Sequence, residues 1–178
     1  MYAEVSWPGE QSLSQDRISG NVRFYQQSPD ADVVVTVKIF GLPDGFHGFH
    51  VHEKALEDMD GTVFECCDQL GGHFNVGPVW KPDNQSGDKH GIGGHSGDLC
   101  NNIYSNSGKS FHLFQDPKIS LYSDDPRCVV GRSVVIHEDP DDLGLPEYED
   151  EKKNEDKWIT GNAGKRIACG NIIRVHKF

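Results

Sequence analysis

The sequence predicts an all-β chain, an antiparallel sandwich or barrel of about eight short strands. Three observations carry the fold class. Residues that favour strands fall in short runs, the runs stop at turn residues, and no convincing helical period is present. With 20 Gly and 9 Pro among 178 residues, turns are frequent.

In chain order, residues 1–7 form a strand that stops at Pro8-Gly9, and residues 17–26 run to Ser28-Pro29-Asp30. Residues 31–42, with Val33-Val34-Val35-Thr36-Val37-Lys38-Ile39-Phe40, are the strongest strand and end at Pro43-Asp44-Gly45. Next comes Gly45-Phe46-His47-Gly48-Phe49-His50-Val51-His52-Glu53, where apolar Phe49 and Val51 alternate with His50 and His52. A period of two puts both imidazoles on one face. Residues 99–104 and 110–115 flank the turn Ser105-Asn106-Ser107-Gly108 and read as a hairpin. Residues 128–137 and 166–176 complete the set.

Two stretches refuse this pattern. Residues 53–97 are rich in Gly, Asp and His, and residues 138–165 are strongly acidic. Loops longer than about 15 residues in a compact domain are usually functional or disordered. The acidic run 147–157 lies between two strands, so it reads as a lid or channel wall, although such a run is most often a solvated surface. Length and 35% hydrophobic content suit one domain spanning 1–178, with long loops at about 53–97 and 138–165.

Seventeen basic against 28 acidic residues give a net charge of −11, which argues against nucleic acid or an anionic membrane as partner. An anionic substrate must then be drawn in by a local positive group. The first 20 residues have no apolar core of signal-peptide length, and no later run reaches a membrane span. The expectation is a soluble, cytoplasmic protein. Cysteines 66, 67, 100, 128 and 169 make neither a CxxC pair nor a dense secreted framework. At most one of the neighbours Cys66 and Cys67 is expected to have a distant partner.

More histidines follow the first pair. His73, His90 and His95 lie in the first long loop with Asp98 just beyond, and His137 ends the strand Val134-Val135-Ile136. If these groups converge, imidazole-rich coordination with one carboxylate suits copper and zinc and is too rich in nitrogen for magnesium or calcium. Three imidazoles and a carboxylate are also a structural zinc set. His47, His112 and His176 fall outside the pattern and read as structural.

At these residues the chain resembles the copper-zinc superoxide dismutases. The matching motifs are Gly48-Phe49-His50-Val51-His52-Glu53, Gly72-His73-Phe74-Asn75, His95-Ser96-Gly97-Asp98-Leu99, Gly131-Arg132-Ser133-Val134-Val135-Ile136-His137-Glu138, Asp141-Asp142-Leu143-Gly144 and Thr160-Gly161-Asn162-Ala163-Gly164-Lys165-Arg166-Ile167-Ala168-Cys169-Gly170. They run in the family's order along nearly the whole chain. The resemblance implies an eight-stranded Greek-key barrel. It implies copper held by His50, His52, His73 and His137, and zinc held by His73, His90, His95 and Asp98, with His73 bridging as an imidazolate. Asp141 matches the carboxylate that hydrogen-bonds one ligand of each metal, Arg166 matches the channel arginine, and Cys67 and Cys169 match the disulfide pair.

The implied reaction consumes superoxide in two strokes. One superoxide leaves as dioxygen, the next leaves as hydrogen peroxide, and His73 releases copper and takes a proton between them. A homodimer and loading by a copper chaperone are the implied partners.

The chain departs from the family in residues 54–65, longer than usual where the dimer interface normally forms. It departs again in the insertion 76–87, in the shortened gap from His90 to His95, and in the extended acidic loop with Ile159 in place of a lysine. Cys100 stands where the family usually has a glycine. Cys66 and Cys128 read as idle thiols. Two other readings share the fold: a metal-binding decoy with little turnover and a copper chaperone's dismutase-like domain. A decoy is expected to lose copper ligands or the arginine, and a chaperone to add a CxxC delivery domain. This sequence does neither.

Overall fold

A computed structural model describes residues 1–15, 17–77, 95–142 and 162–176. Ten strands occur in it: β1 (Tyr2–Trp7), β2 (Ser12–Ser14), β3 (Ser19–Tyr25), β4 (Val33–Phe40), β5 (Gly45–His52), β6 (Asn102–Ser105), β7 (Lys109–Asp116), β8 (Ser133–His137), β9 (Arg166–Asn171) and β10 (Ile173–Val175). They form two five-stranded sheets, ordered β10-β1-β3-β4-β7 and β2-β9-β8-β5-β6, in which every pairing is antiparallel. The chain leaves the first sheet after β4, makes β5 and β6 in the second, and returns to lay β7 beside β4. Such crossings between sheets are Greek-key connections.

Alternation along the strands builds the core. In β4, Val33, Val35, Val37 and Ile39 point inward, and they meet Phe24 of β3, Phe49 and Val51 of β5, and Val134 and Ile136 of β8 in one buried cluster. Each such side chain contributes about 1.5–3 kcal/mol relative to remaining exposed. Because Phe49 and Val51 face this core, His50 and His52 must face outward from the second sheet, and the 53–77 segment buries them there.

All eight expected strands occur, and two differences raise the number to ten. Residues 166–176 divide at Ile172, whose N–H donates to Arg132 O while its carbonyl accepts from Gly131 N. The chain thereby leaves β9 in one sheet and enters β10 in the other. The short β2, which adds to the edge of β9, was not expected because three serine-rich residues carry no pattern. The strand foreseen at 99–104 starts only at Asn102, since Leu99 and Asn101 have φ of 47° and 60°, outside any strand conformation.

The expectation of no helix is corrected by α1 (Val63–Asp68), six residues long. A capping box starts it: the Thr62 hydroxyl accepts from Glu65 N while a Glu65 carboxylate oxygen accepts from Thr62 N. The T-x-x-E signal stands in the sequence, but a helix this short shows no 3.6 period. Helix α1 packs Cys66 and Cys67 with Leu56, Leu70, Val135 and Cys169 into a second small apolar cluster on the outer face of β8 and β9. Within it Cys67 and Cys169 form a disulfide that spans 102 residues.

Candidate metal centre

The outer face of β5, β8 and β9 is the floor of the site. Register pairs His50 with Val135 and His52 with Ser133, so the two imidazoles sit two residues apart above one ladder. His137 ends β8 at an irregularity: Ile136 pairs with Ala168, but His137 pairs with Arg166. Ile167 and Ala168 consequently both belong to the core. The extra residue reverses the in-out alternation, so Arg166 emerges on the same outer face as Cys169. His73 arrives from the loop through a bridge to His52, and Phe74 N–H donates to Val51 O.

Four rings converge. Ring centroids of His50 and His73 lie 4.0 Å apart, those of His50 and His137 5.1 Å, and those of His52 and His73 5.1 Å. One donor atom from each of His50, His52, His73 and His137 lies within 4.8 Å of the others, and the same holds for His73, His95 and Asp98. His73 belongs to both groups. Every member is buried.

The ring tautomers follow from the carbonyls. His52 Nδ1–H donates to Gly71 O at 3.0 Å and His137 Nδ1–H to Gly164 O at 3.2 Å, which leaves Nε2 of each with a free lone pair. These two Nε2 atoms and His50 Nδ1 are buried without a hydrogen-bond partner among the described residues. His50 Nε2 lies 2.8 Å from Asp141 Oδ2, a close contact without hydrogen-bond alignment. Leaving such groups unmet costs about 1–3 kcal/mol each, so lone pairs aimed at a common point fit a cation as the missing partner. The second group fits one too: Asp98 Oδ1 takes His73 Nδ1 at 2.7 Å and stands 3.4 Å from His95 Nδ1, while Oδ2 accepts from His95 N at 2.6 Å.

Electrostatics keeps His52, His73 and His137 neutral. Burial first, then the charge of Arg166 and the neighbouring imidazoles, pushes His52 well below the ordinary histidine range. Burial and His50 push His137 down to about 2. His73 is lowered by burial and by His50, against the opposing pull of Asp98. Burial would raise Asp98, but its bonds to His73 and His95 outweigh that and hold it far below the usual carboxylate range. Neutral imidazoles beside an ionised carboxylate are the protonation states a transition metal binds.

Arg166 does not pair with a surface carboxylate among the described residues. Its Nη1 donates to Cys67 O at 2.7 Å and to Asp68 O at 3.3 Å, and Nη2 donates to Gly71 O at 2.7 Å. Gly71 O also receives His52, so the guanidinium and a ring of the four-histidine group share one acceptor. His47, read as structural, spans the carbonyls of His137 and Pro43 at 2.9 Å each and backs the site from the core side. His90 lies outside the described residues, as do Ile159 and the acidic run 147–157.

Sequence reasoning missed Gly48 as part of the site. A Cβ there would lie 2.7 Å from Ala163 Cβ and 3.1 Å from His50 Cε1, so only glycine lets the 162–164 segment close over the histidine face. A glycine inside an otherwise strong strand was the available signal. Asn102, which binds the backbone of Asp141, was also missed.

The fold and this site together define a Greek-key β-sandwich carrying two adjoining groups of candidate metal donors that share one histidine. Comparison with known proteins agrees. The sequence profile of copper/zinc superoxide dismutase (SODC) matches residues 18–172, and the chain belongs to that family. It is 41% identical to "Superoxide dismutase [Cu-Zn] A" of Xenopus laevis over 157 residues, 87% of this chain and 89% of the relative. It is 38% identical to "Extracellular superoxide dismutase [Cu-Zn]" of Drosophila melanogaster over 156 residues, 88% of this chain and 76% of the relative. The cofactors of this family are copper and zinc. The cytoplasmic expectation is not confirmed: one relative is named as an extracellular enzyme, and a Cys67–Cys169 disulfide is present. No helix among the described residues is long and apolar enough to cross a membrane.

Proposed function

We propose that this chain is a copper/zinc superoxide dismutase in which His50, His52, His73 and His137 hold copper and His73, His90, His95 and Asp98 hold zinc. The observation that carries the ligand set is the convergence of buried, unpartnered imidazole nitrogens on one point, with His73 shared by a second group. Copper held there supplies the one-electron couple that converts two superoxide anions to dioxygen and hydrogen peroxide, whereas zinc has no redox chemistry and serves as structure.

The protein's own residues do the rest. His73, engaged through Nδ1 with Asp98, holds or releases a proton at its other ring nitrogen, on the side of His50 and His52. Asp141 orients His50 through their contact. Arg166, anchored on three backbone carbonyls, offers a fixed positive charge beside His52 and His137 to an anion approaching a chain of net charge −11. Residues 1–178 act as one domain, with 53–97 the metal-binding loop and 138–165 the channel wall. A homodimer is part of the proposal, supported by exposed Met59 and Phe64 in the segment the family uses for pairing; sedimentation equilibrium is its check. Copper loading by a chaperone completes it, and would be seen as direct transfer from a copper-loaded chaperone in the presence of a chelator.

The test is metal analysis joined to a dismutation assay. Purified protein should carry about one copper and one zinc per chain, since one set of donors exists for each. His137→Ala should lose copper and activity and keep zinc. A His137→Ala protein with unaltered dismutation would overturn the assignment.

A further inference from the structure

We infer that Asn102 is a positioning residue for the copper-side histidines, acting by clamping Asp141 against His50; this rests on the reading of His50 as a copper ligand. Asn102 opens β6, directly opposite Gly48 of β5. Its Nδ2 donates to Asp141 O at 2.9 Å, and its Oδ1 accepts from Asp141 N at 2.7 Å. One side chain thus satisfies both backbone groups of a residue 39 positions later, as a strand partner would. The side chain of Asp141 is then delivered to 2.8 Å from His50 Nε2. The carboxylate lies on the Nε2 side of His50, so the ring turns Nδ1, buried without a hydrogen-bond partner, toward the cluster.

The way Asn102 is held argues for a positioning role over mere loop closure. Leu99 and Asn101 adopt positive φ, 47° and 60°, in the corner between Asp98 and Asn102. Non-glycine residues there are strained, and neighbouring contacts must offset that strain. Here they do: Asn101 N–H donates to Asp98 O, Asn101 O accepts from Phe49 N at 2.8 Å, and Leu99 is buried in the core. The same corner therefore starts from Asp98, on the zinc side, and ends at Asn102, which holds Asp141 on the copper side. Phe49, the residue beside His50, is fastened to its middle.

An asparagine is required at 102 by the chemistry of its two bonds. It must accept from an N–H and donate to a C=O on the same residue. Alanine does neither, and aspartate keeps the acceptor but turns an anionic oxygen toward the Asp141 carbonyl.

The experiment is a double-mutant cycle on copper(II) affinity, read by competition with a chelator in zinc-loaded protein, together with the copper(II) electron paramagnetic resonance spectrum. Asn102→Ala should weaken copper binding about tenfold or more, within the range found when partners of metal ligands are removed. In an Asp141→Ala background the same change should have an effect within about twofold, because its target is already gone. The hyperfine splitting should shift in Asn102→Ala toward that of Asp141→Ala. Asn102→Asp serves as the second variant if alanine does not fold, and it should behave alike. Equal losses from Asn102→Ala in both backgrounds, or wild-type affinity and spectrum in the single variant, would overturn the inference. Failure of the wild-type protein to bind copper would instead overturn the function proposed above.

Discussion

Replacing Cys67 tests how the crosslink and the site depend on one another. The disulfide to Cys169 closes a span of 102 residues, and the chain-entropy relation gives about 4.7 kcal/mol at 25 °C for a loop of that size. An unfolding entropy of about 2.1 cal/mol/K per residue makes this roughly a 12 °C fall in Tm for a chain of 178 residues. Cys66 is just as buried but free, and Cys66→Ala removes only packing, about 1 kcal/mol or roughly 3 °C. Calorimetry of oxidised, metal-free protein should show that ranking, and added reductant should erase the difference between wild type and Cys67→Ala. The Cys66→Ala/Cys67→Ala double variant guards against substitution of one thiol for its neighbour, which peptide mapping would reveal as a Cys66–Cys169 link. Because Cys67 O anchors Arg166, the metal-loaded Cys67→Ala enzyme should also turn over more slowly. Equal Tm losses for Cys66→Ala and Cys67→Ala, or a loss below about 4 °C for Cys67→Ala with Cys66 also removed, would refute the reasoning.

Two further outcomes are expected. Arg166→Ile should lower kcat/KM about tenfold, equivalent to roughly 1.4 kcal/mol of barrier, and Arg166→Glu further, with both metals retained. Added salt should slow the wild type more than Arg166→Ile, since screening acts over about 8 Å at physiological ionic strength; a fully loaded Arg166→Glu enzyme with wild-type rate would remove Arg166 from the mechanism. Metal-free protein should lose stability in acid. His52, His73 and His137 are depressed in the folded state, so the unfolded chain binds protons that the folded one does not, and stability present above pH 6.5 is lost as pH falls toward 2. Between pH 7 and 5.5 His137 accounts for about 1 kcal/mol, and denaturant titration of His137→Gln should show a shallower decline than wild type; parallel curves would contradict the assigned protonation state.

Much of this protein was legible in its sequence because strand periodicity is local. Phe49 and Val51 alternate with His50 and His52 within one element, so the in-out division of β5 follows from the order of residues alone. The motifs around His73, His95, Asp98 and His137 named the family before any geometry was known. What tertiary structure decided depends on contacts between distant segments. The resemblance named Cys67 and Cys169 as the pair, but the residues' own pattern left Cys66 and Cys67 equal, and how α1 lies on β9 is what brings Cys67 to Cys169. The placing of Arg166 on the histidine face follows from one irregularity between β8 and β9, because a strand has period two and a single extra residue inverts every side chain beyond it. The hold of Asn102 on Asp141 joins the start of β6 to the segment after β8, a link between polar groups that hydrophobic patterning does not encode.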